Sequence, residues 1–163
     1  MPGAGKSSVG VILAKVLGYE FIDTDLVIQH REKRLLREII ADEGNEGFLA
    51  IENEVNATLE ADKSVIAPGG SAIYGKEAME HFKEIGTIVY LKLSYEDLAK
   101  RLGNLKGRGV VLKEGQTLKD LYDERSKLYE QYAEITVDES GRDIQGLSLI
   151  HISEPTRLAL ISY

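Results

Sequence analysis

Apolar residues fall at helical spacing soon after the chain opens: Val9, Ile12, Leu13 and Val16 follow the run Met1-Pro2-Gly3-Ala4-Gly5-Lys6-Ser7-Ser8. That period predicts a helix with these four residues as its buried stripe, stopped by Gly18. Tyr19-Glu20-Phe21-Ile22 is short and strand-like and runs into Asp23-Thr24-Asp25, which places carboxylates at the carboxyl end of a strand. From Leu26 to Asp42, the residues Val27, Ile28, Leu35, Leu36, Ile39 and Ile40 predict two helical pieces with a joint near Lys33. A further helix is predicted from Asn45 to Ala61, with Phe48, Ile51, Val55 and Leu59 on one face.

Ser64-Val65-Ile66-Ala67 reads as a short buried strand, broken by Pro68-Gly69-Gly70. Lys76 to Ile85 predicts a helix with Met79, Phe82 and Ile85 as its apolar stripe, and Thr87-Ile88-Val89-Tyr90-Leu91 is β-branched and nearly continuous, as a strand covered on both faces should be. Ser94 with Asp97 opens a helix through Leu102, and Thr117 with Asp120 opens a long one through Leu121, Leu128 and Tyr132. The stretch between them, Gly103 to Gln116, holds four glycines, two lysines and Arg108 and reads as a loop. Ile135-Thr136-Val137 is a last short strand. Strands alternating with helices imply an α/β fold, a mainly parallel sheet with helices on both faces.

Composition narrows the function without naming it. At 163 residues the chain fits one domain, and 43% hydrophobic with 29% charged residues is ordinary for a globular protein. The net charge of -7 argues against a sequence-independent grip on nucleic acid or anionic membrane, so any bound anion must be held by local groups. There is no cysteine, which excludes a disulfide framework, a thiolate nucleophile and a cysteine-ligated metal. No apolar run reaches the roughly 18 residues of a membrane helix, and no signal-peptide pattern opens the chain. A cytoplasmic, soluble monomer is expected. His30 and His81 lack metal-ligand spacing, and the tyrosines are scattered; neither set is assigned a function.

The local anion site is at the start. Gly3-Ala4-Gly5-Lys6-Ser7 is the end of a phosphate-binding loop of the form G-x-x-x-x-G-K-[ST], with the first glycine falling before Met1. Glycines let successive backbone N–H groups turn inward around phosphate oxygens while the next helix directs its positive end at them. In that motif Lys6 reaches the β- and γ-phosphates and the Ser7 hydroxyl ligates Mg²⁺. Asp23 and Asp25, two residues apart at a strand end, can divide labour: one supports hydrated Mg²⁺, the other accepts a substrate hydroxyl proton.

Taken in order, Gly3-Ala4-Gly5-Lys6-Ser7, Phe21-Ile22-Asp23-Thr24-Asp25, Phe48 with Glu52, Gly69-Gly70, Arg108, and Arg125 followed by Leu128-Tyr129 resemble the shikimate kinases over roughly Pro2 to Glu139. The resemblance implies a phosphate-loop kinase that transfers the γ-phosphoryl group of ATP, with Mg²⁺, to a hydroxyl of a small carboxylated polyol. It implies Lys6, Asp25 and Arg108 as catalytic residues, Asp25 being the base and Arg108 a lid cation over the transferring phosphate. Gly3, Ala4, Gly5, Lys6, Ser7, Ser8, Arg101 and Arg108 would contact the nucleotide, Arg101 lying against adenine. Ser7 and Asp23 would take the metal; Asp25, Gly69, Gly70 and Arg125 would take the acceptor, Arg125 gripping its carboxylate as a bidentate guanidinium. Three positions depart from the family pattern. Ser71 stands where a third glycine is usual, Gly109 follows Arg108 in place of proline, and Leu49 follows Phe48 in place of a second carboxylate-binding arginine. Losing one charge-assisted contact costs roughly 1.5–3 kcal/mol of binding, so the reaction class is better indicated than the acceptor. A gluconate- or nucleoside-type kinase and a non-catalytic nucleotide-binding module are the competing readings.

The resemblance also implies a strand before the phosphate loop, central in the sheet, and a closing helix. Neither is expected in this chain. From Leu147 onward the sequence resembles the in-frame translation of a transposase-type DNA sequencing adapter. Residues 1–146 are thus expected to form an incomplete kinase domain, and 147–163 a non-native tail.

Overall fold

A computed structural model describes residues 6–103, 113–139 and 157–161. Helix α1 (Lys6–Leu17) ends at Gly18, whose φ of +70° is the left-handed stop that a Cβ would strain. Strand β1 (Glu20–Asp23) leads directly into helix α2 (Thr24–Glu32). That helix ends at Lys33 with φ 54°, which is the predicted joint. Helix α3 (Leu36–Ala57) contains a break at Gly44, φ 71° and ψ -179°, so the two predicted helical pieces on either side meet there at a kink. Then come β2 (Ser64–Ala67), a single 3₁₀ turn (Ala72–Tyr74), α4 (Lys76–Ile85) and β3 (Thr87–Lys92). The described chain closes with α5 (Tyr95–Gly103), α6 (Leu118–Tyr132), β4 (Ile135–Asp138) and β5 (Arg157–Ile161).

The five strands form one parallel sheet in the order β1-β2-β5-β3-β4. Strand period sorts its residues between two covers. Val65, Val89 and Leu91 pack under Val9, Leu13 and Ala14 of α1, whereas Ile66, Ile88 and Tyr90 meet Met79, Phe82 and Tyr129 from α4 and α6. A satellite cluster, Ile28, Ile39, Phe48 and Val55, joins α2 to α3. No described helix is long and apolar enough to cross a membrane.

One expectation fails. Ile12 and Val16 are exposed, at 44% and 60%, and the buried face of α1 is Val9, Leu13 and Ala14. A helix packed against a sheet buries only one strip of its surface, and here it is the one that carries Val9, Leu13 and Ala14. Arg157–Ile161 lies inside the sheet: it pairs with β2 through Ile66↔Ala159 and with β3 through Ile88↔Ala159. The central place of the sheet is therefore filled by β5. Two buried neighbours with unpaired backbone groups on facing edges make that place favourable for an extended apolar segment.

Candidate active site

All five strands run the same way, so their carboxyl ends share one edge. Ligands of open parallel sheets bind outside that edge. Helix α1 returns to β1 through a two-residue turn at Gly18-Tyr19, which puts its amino end, Lys6, at the same edge. Gly3, Ala4, Gly5 and Arg108 lie outside the described residues, as do the side chains of Lys6 and Ser7. Ser8 is exposed on the first turn of α1.

Asp23↔Ala67 is the last pair of the β1–β2 ladder, so the two strands end side by side. After β1, Asp23 Oδ1 accepts the backbone N–H of Asp25 at 3.0 Å and caps α2. Asp25 thereby falls in the first turn, where a helix's positive end favours a carboxylate. After β2, the chain breaks at Pro68 and passes Gly69 beneath that carboxylate. A Cβ placed on Gly69 would lie 3.0 Å from Asp25 Oδ1 and 2.7 Å from Glu52 Oε1. Two carboxylates therefore converge over one glycine, whose missing side chain is what admits them. Glu52 comes from α3, is 1% exposed, and accepts the Ser71 hydroxyl on Oε2 at 2.6 Å.

Gly70 is held from the other side, its carbonyl accepting the Tyr129 hydroxyl at 2.7 Å. Arg125, one turn earlier on α6, is 8% exposed, with its guanidinium carbon 5.6 Å from the centre of the Tyr74 ring. Asp123 pairs with Lys119 at 2.8 Å, and Glu124 accepts the Tyr74 hydroxyl at 2.8 Å and the Gln116 amide at 3.1 Å. Burial raises the Tyr74 phenol above its ordinary pKa, opposed by the neighbouring Arg125 cation. Arg101 pairs with Glu139 at 3.7 Å, just past the end of β4. Desolvation lifts the Glu139 carboxyl above the usual range against that arginine's pull. Leu49 is half-buried against the apolar cluster between α2 and α3.

Asp25, Gly69, Gly70 and Arg125 are thus drawn to one edge, together with Glu52, Ser71, Tyr74 and Tyr129. Tyr74 and Tyr129 were not assigned a role from the sequence. Tyr129 had a signal, since it lies four residues after Arg125 and so shares its helix face. Among the described residues no three His, Asp or Glu side chains converge as a metal cage. A lone Asp23 carboxylate suits Mg²⁺ that is carried mainly by nucleotide phosphates and keeps several waters. A shallow depression beside His81 and Leu59 sits at the amino end of β2, on the opposite edge, and contains none of these residues.

A parallel sheet whose first helix opens with Lys6-Ser7 after two glycines, beside an aspartate and a glycine turn at the strand ends, defines a small phosphate-loop kinase. The shikimate kinase family model matches residues 2–151, and the chain belongs to that family. It is 34% identical over 145 residues to shikimate kinase 2 of Yersinia enterocolitica, a match covering 83% of this chain and 81% of that protein. Among solved structures it is similar to the shikimate kinase from Acinetobacter baumannii in complex with shikimate, with a TM-score of 0.76 and 32% identity over 88% of this chain and 82% of the other. The shikimate kinase from Aquifex aeolicus gives a TM-score of 0.71 at 29% identity, covering 88% and 85%.

Proposed function

We propose that this chain catalyses transfer of the γ-phosphoryl group from ATP to a hydroxyl of shikimate, in the cytoplasm. The observation that carries the reading is the Asp25 carboxylate, set over Gly69 at the sheet edge from which the Lys6 helix begins. Asp25 takes the proton of the acceptor hydroxyl as its oxygen forms the new bond to phosphorus, and ADP leaves with the electrons of the broken P–O bond. Lys6 and Arg108 stabilise charge on the phosphoryl oxygens, while the Gly3-Ala4-Gly5 amides and Ser8 hold the nucleotide and Arg101 lies against its base. Arg125 grips the acceptor carboxylate, and Gly69 and Gly70 let the backbone approach it closely. Ser7 and Asp23 would hold Mg²⁺, which supplies charge neutralisation at the β- and γ-phosphates.

A coupled ADP-release assay offering shikimate, gluconate and a nucleoside separately tests the acceptor. Turnover with shikimate is expected, and Asp25→Asn should lower kcat by about 10²–10⁴ while Mg²⁺-ATP affinity is retained. Turnover with gluconate or the nucleoside alone would overturn the acceptor. Absence of any ATP affinity would overturn the kinase reading.

A further inference from the structure

We propose that Ser71 is a positioning residue of the acceptor site, clamping the buried Glu52 carboxylate from a turn whose other end braces Arg125. Ser71 occupies the N-cap of the 3₁₀ turn, a place where serine ordinarily spends its oxygen on a backbone N–H. Here it makes no cap bond. Its hydroxyl instead reaches across to α3 and donates to Glu52 Oε2 at 2.6 Å, within the short range of a charge-assisted O–H···O⁻ bond. A carboxylate 1% exposed must be held by hydrogen bonds or opposite charge if it is to stay ionised. The oxygen not bonded to Ser71 is the one over Gly69, beside Asp25. Rotating Glu52 would therefore move charge against the base that takes the hydroxyl proton.

The opposite end of the turn carries Tyr74. Three residues on in a 3₁₀ turn, its side chain lies on the same side as that of Ser71. Its ring stands 5.6 Å from the Arg125 guanidinium carbon, and its hydroxyl ties the turn to Glu124 of α6. One short turn thus touches an anionic group from α3 at one end and a cationic group from α6 at the other. Gly75 anchors it further: Asn53 Oδ1 occupies the space that a Cβ there would need, and the Asn53 amide donates to Glu77 of α4.

The proposal rests on the acceptor reading above, and its test separates the two. Ser71→Ala is expected to lower kcat/KM for shikimate about tenfold with the KM for ATP unchanged, and Ser71→Thr to restore it. Ser71→Cys, a weak donor of similar size, should fall between and covers the case in which the alanine variant does not fold. Carbon-13 titration of the Glu52 carboxyl gives a readout independent of substrate. Titratable groups on the surrounding elements are Asp25 from α2, Tyr74 from the turn, Glu77 from α4, and Glu124, Arg125 and Tyr129 from α6. Against that unchanged background, losing a hydrogen bond to the ionised form raises the Glu52 pKa in Ser71→Ala. If the wild-type chain does not phosphorylate shikimate, the acceptor reading fails and the titration still decides the role of Ser71. An unaltered Glu52 titration, or a loss that threonine does not restore, would overturn the proposal.

Discussion

Gly69 is small because two carboxylates need its space. A side chain there would meet Glu52 Oε1 at 2.7 Å and Asp25 Oδ1 at 3.0 Å, closer than a methyl group tolerates. Gly69→Ala should therefore displace one or both carboxylates. We expect a loss of about 1–3 kcal/mol of stability, seen as a lower Tm, and a fall in kcat/KM for the acceptor with ATP binding intact. An alanine variant with wild-type acceptor kinetics would show that the carboxylates move aside freely. Asp23 and Asp25 differ in their surroundings at the same scale. Asp23 commits Oδ1 to the α2 cap, and that bond orients the next carboxylate toward the glycine turn. The pair was legible in the sequence as two carboxylates at a strand end. Which of them faces Gly69 was not, because it depends on a hydrogen bond within the turn and on the register of β1 with β2.

Helix boundaries were the most legible elements. Ser94 accepts the Asp97 N–H at 3.2 Å, as its spacing predicts. Thr117 and Asp120 form a reciprocal capping box, with bonds of 3.1 Å to the Thr117 hydroxyl and 3.0 Å to the Asp120 carboxylate. Because α6 presents both Arg125 and Tyr129 to the site, its first turn matters beyond its own stability. Thr117→Ala should cost about 1 kcal/mol, measured by denaturant unfolding, with little change in the m-value. A variant as stable as the wild type would mean that tertiary contacts alone hold this helix end. Burial was less legible than helicity. The apolar stripe of α1 named Ile12 and Val16, which the structure leaves exposed, because hydrophobic period identifies a helix while the neighbour decides which arc is covered. Glu52 was legible only as part of a family pattern. Its burial follows from α3 lying against the turn after β2.

At the scale of the whole molecule, the sheet depends on a strand from the far end of the chain. Ala159 is 3% exposed and paired on both sides, so Ala159→Asp would place a carboxylate between Ile66 and Ile88. That should cost more than about 2 kcal/mol and broaden or abolish cooperative melting. Unchanged melting would contradict the central position of β5. Tyr90, 0% exposed on β3, gives the core a pH signature. Burial pushes its phenol up to about 12, whereas an unfolded tyrosine ionises near 10. The folded state keeps a proton that the unfolded chain releases, so this contribution to stability is complete below about pH 10 and is lost as pH rises toward 12. Tyr90→Phe should make stability fall less steeply across that window, followed by thermal melts at stepped alkaline pH. The half-buried Tyr74 contributes in the same direction, so the slope is reduced, not removed.

By itself the amino-acid sequence determined which segments before residue 140 are helix and strand, where the helices start, and which residue types are present for phosphate, proton and carboxylate chemistry. Those follow from local rules: period, capping and glycine conformation act over a few neighbouring residues. Only the tertiary structure decided that Arg157–Ile161 lies between β2 and β3, that Ser71 spends its hydroxyl on Glu52, and that Tyr74 and Tyr129 serve the same edge as Asp25. Each of these joins residues far apart in the chain, and such contacts form only when burial of the whole sheet brings them together.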